Sequence, residues 1–441
     1  MKRYPAYKDS GVEWLGEIPE GWETGRLGHV ASVVVSNVDK HSEDGEVPIR
    51  LCNYVDVYKN DVVRDGLDFM EATATAEQIV RFGLRRGDTA FTKDSETADD
   101  IGVPAFVDAD GLVCGYHLAV ARPISPLADS KFLFYVLKSS PSAKQWYLAA
   151  SGVTRVGLRS ADIPKLRTAR PPLAEQRVIA AYLDRETAQI DELIGEQEAL
   201  IGSLTERRQS VSSAMFQERI GVGERLCWSF SEIDDRAGVR WEYLPLMSVS
   251  ISWGVRVRSE MTADVAKADD LSNYKICEPG DIVINRMRAF QGALGVSPVP
   301  GVVSPDYAVI RTSAVVDPIW LELVMRSSSF VSEMSSRIRG IGSVESGAVR
   351  TPRISVTDLG HIRLAVPSLE DQRVQSASLF KQTSAIDSLI DECRELIALL
   401  KERRSALISA AVTGKIDVRD VVSTDSPSEV SLTTIVDTST Q

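Results

Sequence analysis

Apolar residues recur three and four positions apart over two long stretches of the chain. The first holds Ile190, Leu193, Ile194, Leu200, Ile201, Leu204, Val211 and Met215; the second holds Ile386, Leu389, Ile390, Leu396, Ile397, Leu400 and Leu407. This spacing predicts helices with one narrow apolar stripe, the kind that faces another helix. No proline lies between Pro172 and Pro245, or between Pro367 and Pro427. Pro171-Pro172 suits a helix start, Ser368 with Asp371 resembles a capping box, and Gly414 suits a stop. At ~1.5 Å per residue, roughly 45 residues span on the order of 70 Å. A buried core helix would carry the same stripe; two matched stripes in one chain favour a mutual antiparallel pairing.

The stretches are copies. Residues 171–214 align with 367–410 without a gap, and 21 of the 44 positions are identical. Pro171-Pro172-Leu173-Ala174-Glu175-Gln176-Arg177-Val178 returns as Pro367-Ser368-Leu369-Glu370-Asp371-Gln372-Arg373-Val374, and Ile190-Asp191 as Ile386-Asp387. The segments before each helix are related more loosely. Gly87-Asp88-Thr89-Ala90-Phe91-Thr92-Lys93 resembles Gly280-Asp281-Ile282-Val283-Ile284-Asn285-Arg286, Leu118-Ala119-Val120 corresponds to Tyr307-Ala308-Val309, and Ser139-Ser140 to Ser327-Ser328. β-rich runs at 30–35, 282–284 and 302–303 sit among Gly, Asp and Pro turns, and helical stretches follow at 130–148 and 317–334. The expected class is therefore α+β: two mixed globules and two long helices forming an antiparallel coiled coil, with a pseudo-two-fold internal repeat. The expected segments are 1–170, helix 171–220, 221–366, helix 367–415, and a disordered tail over 416–441, rich in Ser, Thr and Asp.

Charge complicates a nucleic-acid reading. The net charge of −12 opposes a surface that grips phosphate throughout. Most of the deficit lies elsewhere: residues 1–170 carry −3 and 221–366 carry −1, whereas 171–220 and 416–441 carry −4 each. A near-neutral globule still binds DNA when its basic residues share a face. Five scattered cysteines and four histidines give no zinc spacing. The start of the chain lacks a signal peptide's apolar stretch and no run approaches ~20 apolar residues, so a cytoplasmic location and no membrane are expected.

The opening Tyr7-Lys8-Asp9-Ser10-Gly11-Val12-Glu13-Trp14-Leu15-Gly16-Glu17-Ile18-Pro19-Glu20-Gly21-Trp22, and the Pro-Pro-Leu-Ala-Glu-Gln-Arg run at 171–177, resemble the specificity subunits of Type I restriction-modification systems, a phage defence. Thr92-Lys93-Asp94-Ser95-Glu96-Thr97 with Gly115-Tyr116-His117-Leu118 is similar to one recurring recognition-domain type. The run from Asn285 to Gly295, with Ser304-Pro305-Asp306-Tyr307, is similar to another. The second helix departs slightly, with Ser368, Glu370 and Asp371 in place of Pro172, Ala174 and Glu175. The resemblance covers 4–415. It implies a non-catalytic DNA-binding subunit whose two target-recognition domains, 1–170 and 221–366, each read half of a bipartite double-stranded site. The helices would pack as an antiparallel spacer. Two modification (methyltransferase) subunits and two restriction (translocase/endonuclease) subunits would dock. S-adenosylmethionine, ATP and Mg would belong to those partners.

Chemistry of the chain's own is not legible. An adenine methylase needs an Asn-Pro-Pro-aromatic loop, and no asparagine here is followed by Pro-Pro. No Walker loop accompanies Thr413-Gly414-Lys415. Asp99-Asp100 reads as a solvated turn. Arg or Lys suits guanine, and Asn or Gln adenine, in the major groove. Thr92, Lys93, Ser95 and Thr97, leaving a strand into a polar loop, are therefore groove candidates, and the family pattern adds Tyr116 and His117. In the second globule Asn285, Arg286, Arg288 and Gln291 are the groove candidates. Arg85, Arg86, Arg155, Arg159, Arg337, Arg339, Arg350 and Arg353 suit phosphates. Ile190, Leu193, Ile194, Leu200, Leu204, Ile386, Leu389, Ile390, Leu396 and Leu400 are the coiled-coil and partner positions. Glu206-Arg207-Arg208 and its copy would contact modification subunits, or be solvated or pair within the helix. A coiled-coil scaffold joining two protein-binding globules is the rival reading, and −12 fits it better.

Overall fold

The computed structural model describes residues 2–152, 154–251, 253–261, 270–337 and 353–420. The chain divides into two units, one holding Met1–Gly195 and the chain from Leu396, the other Glu196–Glu395. The long helices run Leu173–Phe216 and Leu369–Val412. Neither stands apart as a segment of its own. Each gives one half to each unit.

In the first unit a five-stranded sheet runs Ala31–Val35, Leu118–Pro123, Thr89–Thr92, Pro104–Asp108, Val62–Arg64, antiparallel except for the last pair. A three-stranded sheet of Leu112–Cys114, Val47–Cys52 and Met70–Ala74 adjoins it in sequence and core. The second unit repeats the frame as Phe230–Ile233, Ala308–Thr312, Ile282–Ile284 and Leu294–Val296, all antiparallel. The expected runs at 30–35, 282–284 and 302–303 are strands, the first from Ala31 because Val30 ends the short helix Leu27–Val30, the last as Gly301–Val303.

The repeat extends to side chains. Gly87 and Gly280 both sit at φ +91°, a left-handed turn that a side chain resists, just before Thr89–Thr92 and Ile282–Ile284, the third strand of each order. The next residue, Asp88 or Asp281, is buried and holds an arginine of the neighbouring strand by two bonds. Arg122 Nε and Nη2 reach Asp88 at 2.8 and 2.6 Å; Arg311 Nε and Nη2 reach Asp281 at 2.7 and 2.8 Å. The helical stretches expected at 130–148 and 317–334 are each broken: Ser130–Lys138 and Ser140–Ala149 in one unit, Pro318–Arg326 and Ser328–Ser335 in the other. Buried Ser139 and Ser327 take extended backbone there, and each hydroxyl donates to a carbonyl three residues back, at 2.6 Å.

Gln176 and Gln372, from the duplicated motif, lock the helix starts to the globules. Gln176 Oε1 accepts the Asp129 N–H at 2.9 Å and Nε2 donates to Pro171 and Leu127 carbonyls at 2.9 and 3.3 Å. Gln372 does the same with Asp317 at 2.7 Å and the Pro367 and Val315 carbonyls at 2.8 and 2.9 Å. Those aspartates are themselves the N-caps of Ser130–Lys138 and Pro318–Arg326.

Within the first unit the helix halves run antiparallel. Arg404 meets Asp191 at 2.9 Å, and Ile179, Tyr182 and Leu183 share a core with Leu407, Ile408 and Ala411. In the second, Arg208 bonds Asp387 at 2.7 Å, and Val211, Met215 and Phe216 share a core with Leu379. The last arginine of each Glu-Arg-Arg run therefore pairs across helices, while Arg207 and Arg403 are exposed. The seam corrects the expected stripe. Ile190, Ile386, Ile390 and Leu400 are buried, and Ile194 and Leu204 half-buried. Leu193, Leu200, Leu389 and Leu396 stand 42–47% exposed, on the flanks. Ile397 of the stripe is buried, as are Thr187, Thr383 and Cys393, which lie off it.

Gly414, at φ +72°, ends the second helix, and a Cβ there would lie 2.3 Å from Pro19 Cδ. The first residues of the expected tail are folded: Ile416 and Val418 are buried with Tyr4 and Trp22, and the Asp417 N–H donates to the Lys2 carbonyl at 2.9 Å. The rest of that tail, from 421, lies outside the described residues.

Candidate nucleic-acid interface

Three segments meet at one corner of each sheet frame: the loop leaving Thr89–Thr92 or Ile282–Ile284, the turn entering the neighbouring strand, and the stretch returning to the long helix. In the first unit the Lys93 N–H donates to the His117 carbonyl, and the Leu158 N–H to the Lys93 carbonyl, both at 2.9 Å. In the second the Ile354 N–H donates to the Arg286 carbonyl at 3.1 Å. Lys93 and Arg286 are repeat equivalents, so the same corner is built twice.

Asp94 organises the first corner. Its carboxylate, 14% exposed, bonds Lys93 Nζ at 2.6 Å and the His117 ring through Nδ1, and lies 3.1 Å from Arg155 Nε. Burial, aided by Arg155 and Lys93, holds the His117 imidazole below its ordinary value against the pull of Asp94. Tyr116, 41% exposed, lies over His117 with ring centroids 3.6 Å apart. Beside it the short helix Tyr54–Tyr58 presents two stacked tyrosines. Tyr54 Oη meets Ser95 Oγ at 3.0 Å and Tyr58 Oη donates to Asp100 at 2.9 Å. A hollow of about 260 Å³ opens between Tyr54, Met70, Tyr116 and His117.

The sequence-derived candidates part company here. Thr92 is fully buried; its hydroxyl donates to the Asp100 carbonyl at 2.6 Å and accepts the Val103 N–H at 2.9 Å. Ser95 is buried against Tyr54. Both shape the loop and have no surface to offer a base. Lys93, Tyr116, His117 and Arg155 are brought together, and exposed Thr97 stands near them, donating to Asp100 at 2.8 Å. Arg159 is exposed. Arg86 is spent on three carboxylates, Asp65, Asp108 and Asp110, at 2.5–3.0 Å, which leaves little charge for a phosphate. Arg85 gives its backbone N–H to Asp88.

In the second unit Asn285 is 8% exposed and turns inward. Its Oδ1 accepts the Met287 N–H at 3.2 Å and its Nδ2 donates to Tyr307 Oη at 3.4 Å. Arg286 Nε donates to the Ile354 carbonyl at 3.2 Å, so it fastens the returning segment. Arg288 and Gln291 are the exposed members of this loop. Burial raises the Tyr307 phenol, opposed by nearby Arg258 and Arg288. Arg353 Nη1 donates to Asp306 at 3.2 Å. Arg337 is tied to Glu333 at 2.6 Å one turn back. Arg339 and Arg350 lie outside the described residues. Sequence reasoning passed over Asp94, Tyr54, Tyr58 and Arg258. Adjacency to Lys93 was the only signal for the first, and the others reach the corner through folding alone.

Residues 19–201 match the family model described as the Type I restriction modification DNA specificity domain. Over 433 residues the chain is 24% identical to a putative type I restriction enzyme MjaX specificity subunit of Methanocaldococcus jannaschii, covering 92% of this chain and 96% of that one. Both matches are to Type I restriction-modification specificity proteins, and the chain resembles that family over most of its length. A solved chain from work on complex assembly and conformational transition of the type I R-M system shares the fold, with a TM-score of 0.65 over 90% of this chain and 99% of that one, at 18% identity. The likeness supports a DNA sequence-recognition subunit. Among the described residues no helix is long and apolar enough to cross a membrane.

Proposed function

We propose that this specificity subunit reads a bipartite duplex target, one half with each sheet corner, and leaves the chemistry to docked partners. The observation that carries the reading is the doubled corner: one frame, two different sets of exposed side chains. The first offers exposed Tyr116 and Arg155 beside part-covered Lys93 and His117, the second Arg288, Gln291 and Arg353. Phosphate contacts fix a protein's register and base-edge contacts specify sequence, so two unlike heads on one frame read two unlike half-sites. Two modification and two restriction subunits complete the complex in the cytoplasm, and bring S-adenosylmethionine, ATP and Mg. The exposed leucines at matched repeat positions, Leu193 with Leu389 and Leu200 with Leu396, are apolar surface available for docking those subunits. Partner-borne positive charge would offset the subunit's −12.

The test is a head exchange. Replacing residues 20–165 with the same segment of another family member, expressed with its modification subunit, should change one half of the methylated sequence in the host genome and leave the other. Change in both halves, or in neither, would refute the two-head reading. The purified chain alone, given methyl donor, should neither methylate nor cut.

A further inference from the structure

Each corner holds one half-exposed arginine braced by an aspartate. Arg155, 49% exposed, places Nε 3.1 Å from Asp94, and its guanidinium makes no other polar contact among the described residues. Arg353, 46% exposed, donates Nη1 to Asp306 at 3.2 Å. Both arginines come from the stretch returning to the long helix. The aspartates come from different places: Asp94 from the loop leaving the strand, Asp306 from the turn entering its neighbour. The brace has therefore been built twice by different residues, on either side of one corner.

A carboxylate changes what an arginine can do. It cancels much of the local positive charge, which weakens any pull on a phosphate. It also restrains where the guanidinium can sit and leaves its other N–H groups on a fork, which suits two acceptors side by side. In the major groove guanine O6 and N7 are such a pair. Arg159 and Arg288 contrast with them: they are exposed and make no ion pair among the described residues, the condition of a phosphate contact.

Resting on the DNA-reading function above, we infer that Arg155 and Arg353 are the guanine readers of the two heads, one guanine in each half-site, with Asp94 and Asp306 as their positioning residues. Arg159 and Arg288 supply sequence-independent attraction.

The experiment uses the complex of this chain with its modification subunit and a library of duplexes varied across the target. The wild-type complex should require a guanine at a fixed place in each half-site. Arg155→Ala should flatten preference at that position in one half only, by roughly 5- to 150-fold. It should leave the other half and the slope of binding against salt unchanged. Arg353→Ala should do the same in the other half. Arg159→Ala and Arg288→Ala should reduce the salt slope and leave preference intact. A second arm leaves the protein unaltered. Replacing the guanine by its 7-deaza analogue should weaken wild-type binding, and should add no further loss to the matching arginine variant. Asp94→Asn should lower preference at the Arg155 position while Lys93 and His117 remain. Uniform weakening of all duplexes by Arg155→Ala and Arg353→Ala, with a reduced salt slope, would overturn the inference and leave the DNA-reading function standing. A wild-type complex with no sequence preference would overturn both.

Discussion

The duplicated glutamine is the most exacting test of the frame. Gln176→Ala removes an acceptor for the Asp129 N–H and two donors to carbonyls, one of them, Leu127, partly exposed and reached at 3.3 Å. Each such bond contributes a net ~0.5–1.5 kcal/mol, and water can replace the one at Leu127, so the expected loss is about 2–3 kcal/mol. Gln372 is fully buried and all three of its bonds are 2.7–2.9 Å long, which puts Gln372→Ala at about 3–4 kcal/mol. The loss is local, because each glutamine holds an N-cap aspartate and with it one helix start. Native-state hydrogen exchange reads it directly. Gln176→Ala should speed exchange at the start of Ser130–Lys138 by about 30-fold or more, at ~1.4 kcal/mol per factor of ten. Gln372→Ala should do so at the start of Pro318–Arg326. Each should leave the other helix unchanged. A rise below about 5-fold at both sites, or an equal rise at both helices from either change, would refute the assignment of these side chains as the locks.

The repeat also predicts unequal costs for equal positions. Arg404, 14% exposed and bonded to both Asp61 and Asp191, should cost about 1–3 kcal/mol on change to Ala in denaturant unfolding; its counterpart Arg208, 46% exposed with Asp387 alone, should cost under about 1 kcal/mol. Asp61 gives a pH signature: burial works against its charge, but Lys138 and Arg404 outweigh it and hold the carboxyl below its ordinary 3.8. Its stabilising contribution is present above that value and lost as pH falls through the lowered one, so Asp61→Asn should blunt the acid-side loss of stability of the first unit in a pH series. Lys138, which burial lowers despite Asp61, acts only toward alkaline pH and should leave that acid limb alone.

The sequence by itself determined the periodic elements and their duplication. A stripe at three-four spacing makes a helix wherever it occurs, and a gapless 21-in-44 match requires two copies of one frame. Gly-Asp before an apolar run was enough to align the two central strands, since that turn needs a left-handed glycine in both. Lys93, Tyr116, His117 and Arg155 were legible as polar and aromatic residues in loops, and folding gathers them around Asp94. What the sequence left open is which side of each residue is covered. Leu193 and Ile194 are adjacent and both apolar, yet only Ile194 packs on the core, because helix rotation is set by the neighbours that bury it. Thr92, Ser95 and Asn285 are polar residues in loop-forming runs, but the corner closes over them and turns their hydrogen bonds inward. Gln176 looked like part of a helix motif and is a lock on a cap 47 residues upstream. Such contacts join residues distant in sequence, so local pattern carries no trace of them; only the packed chain decides which polar groups are spent on the fold and which remain for DNA.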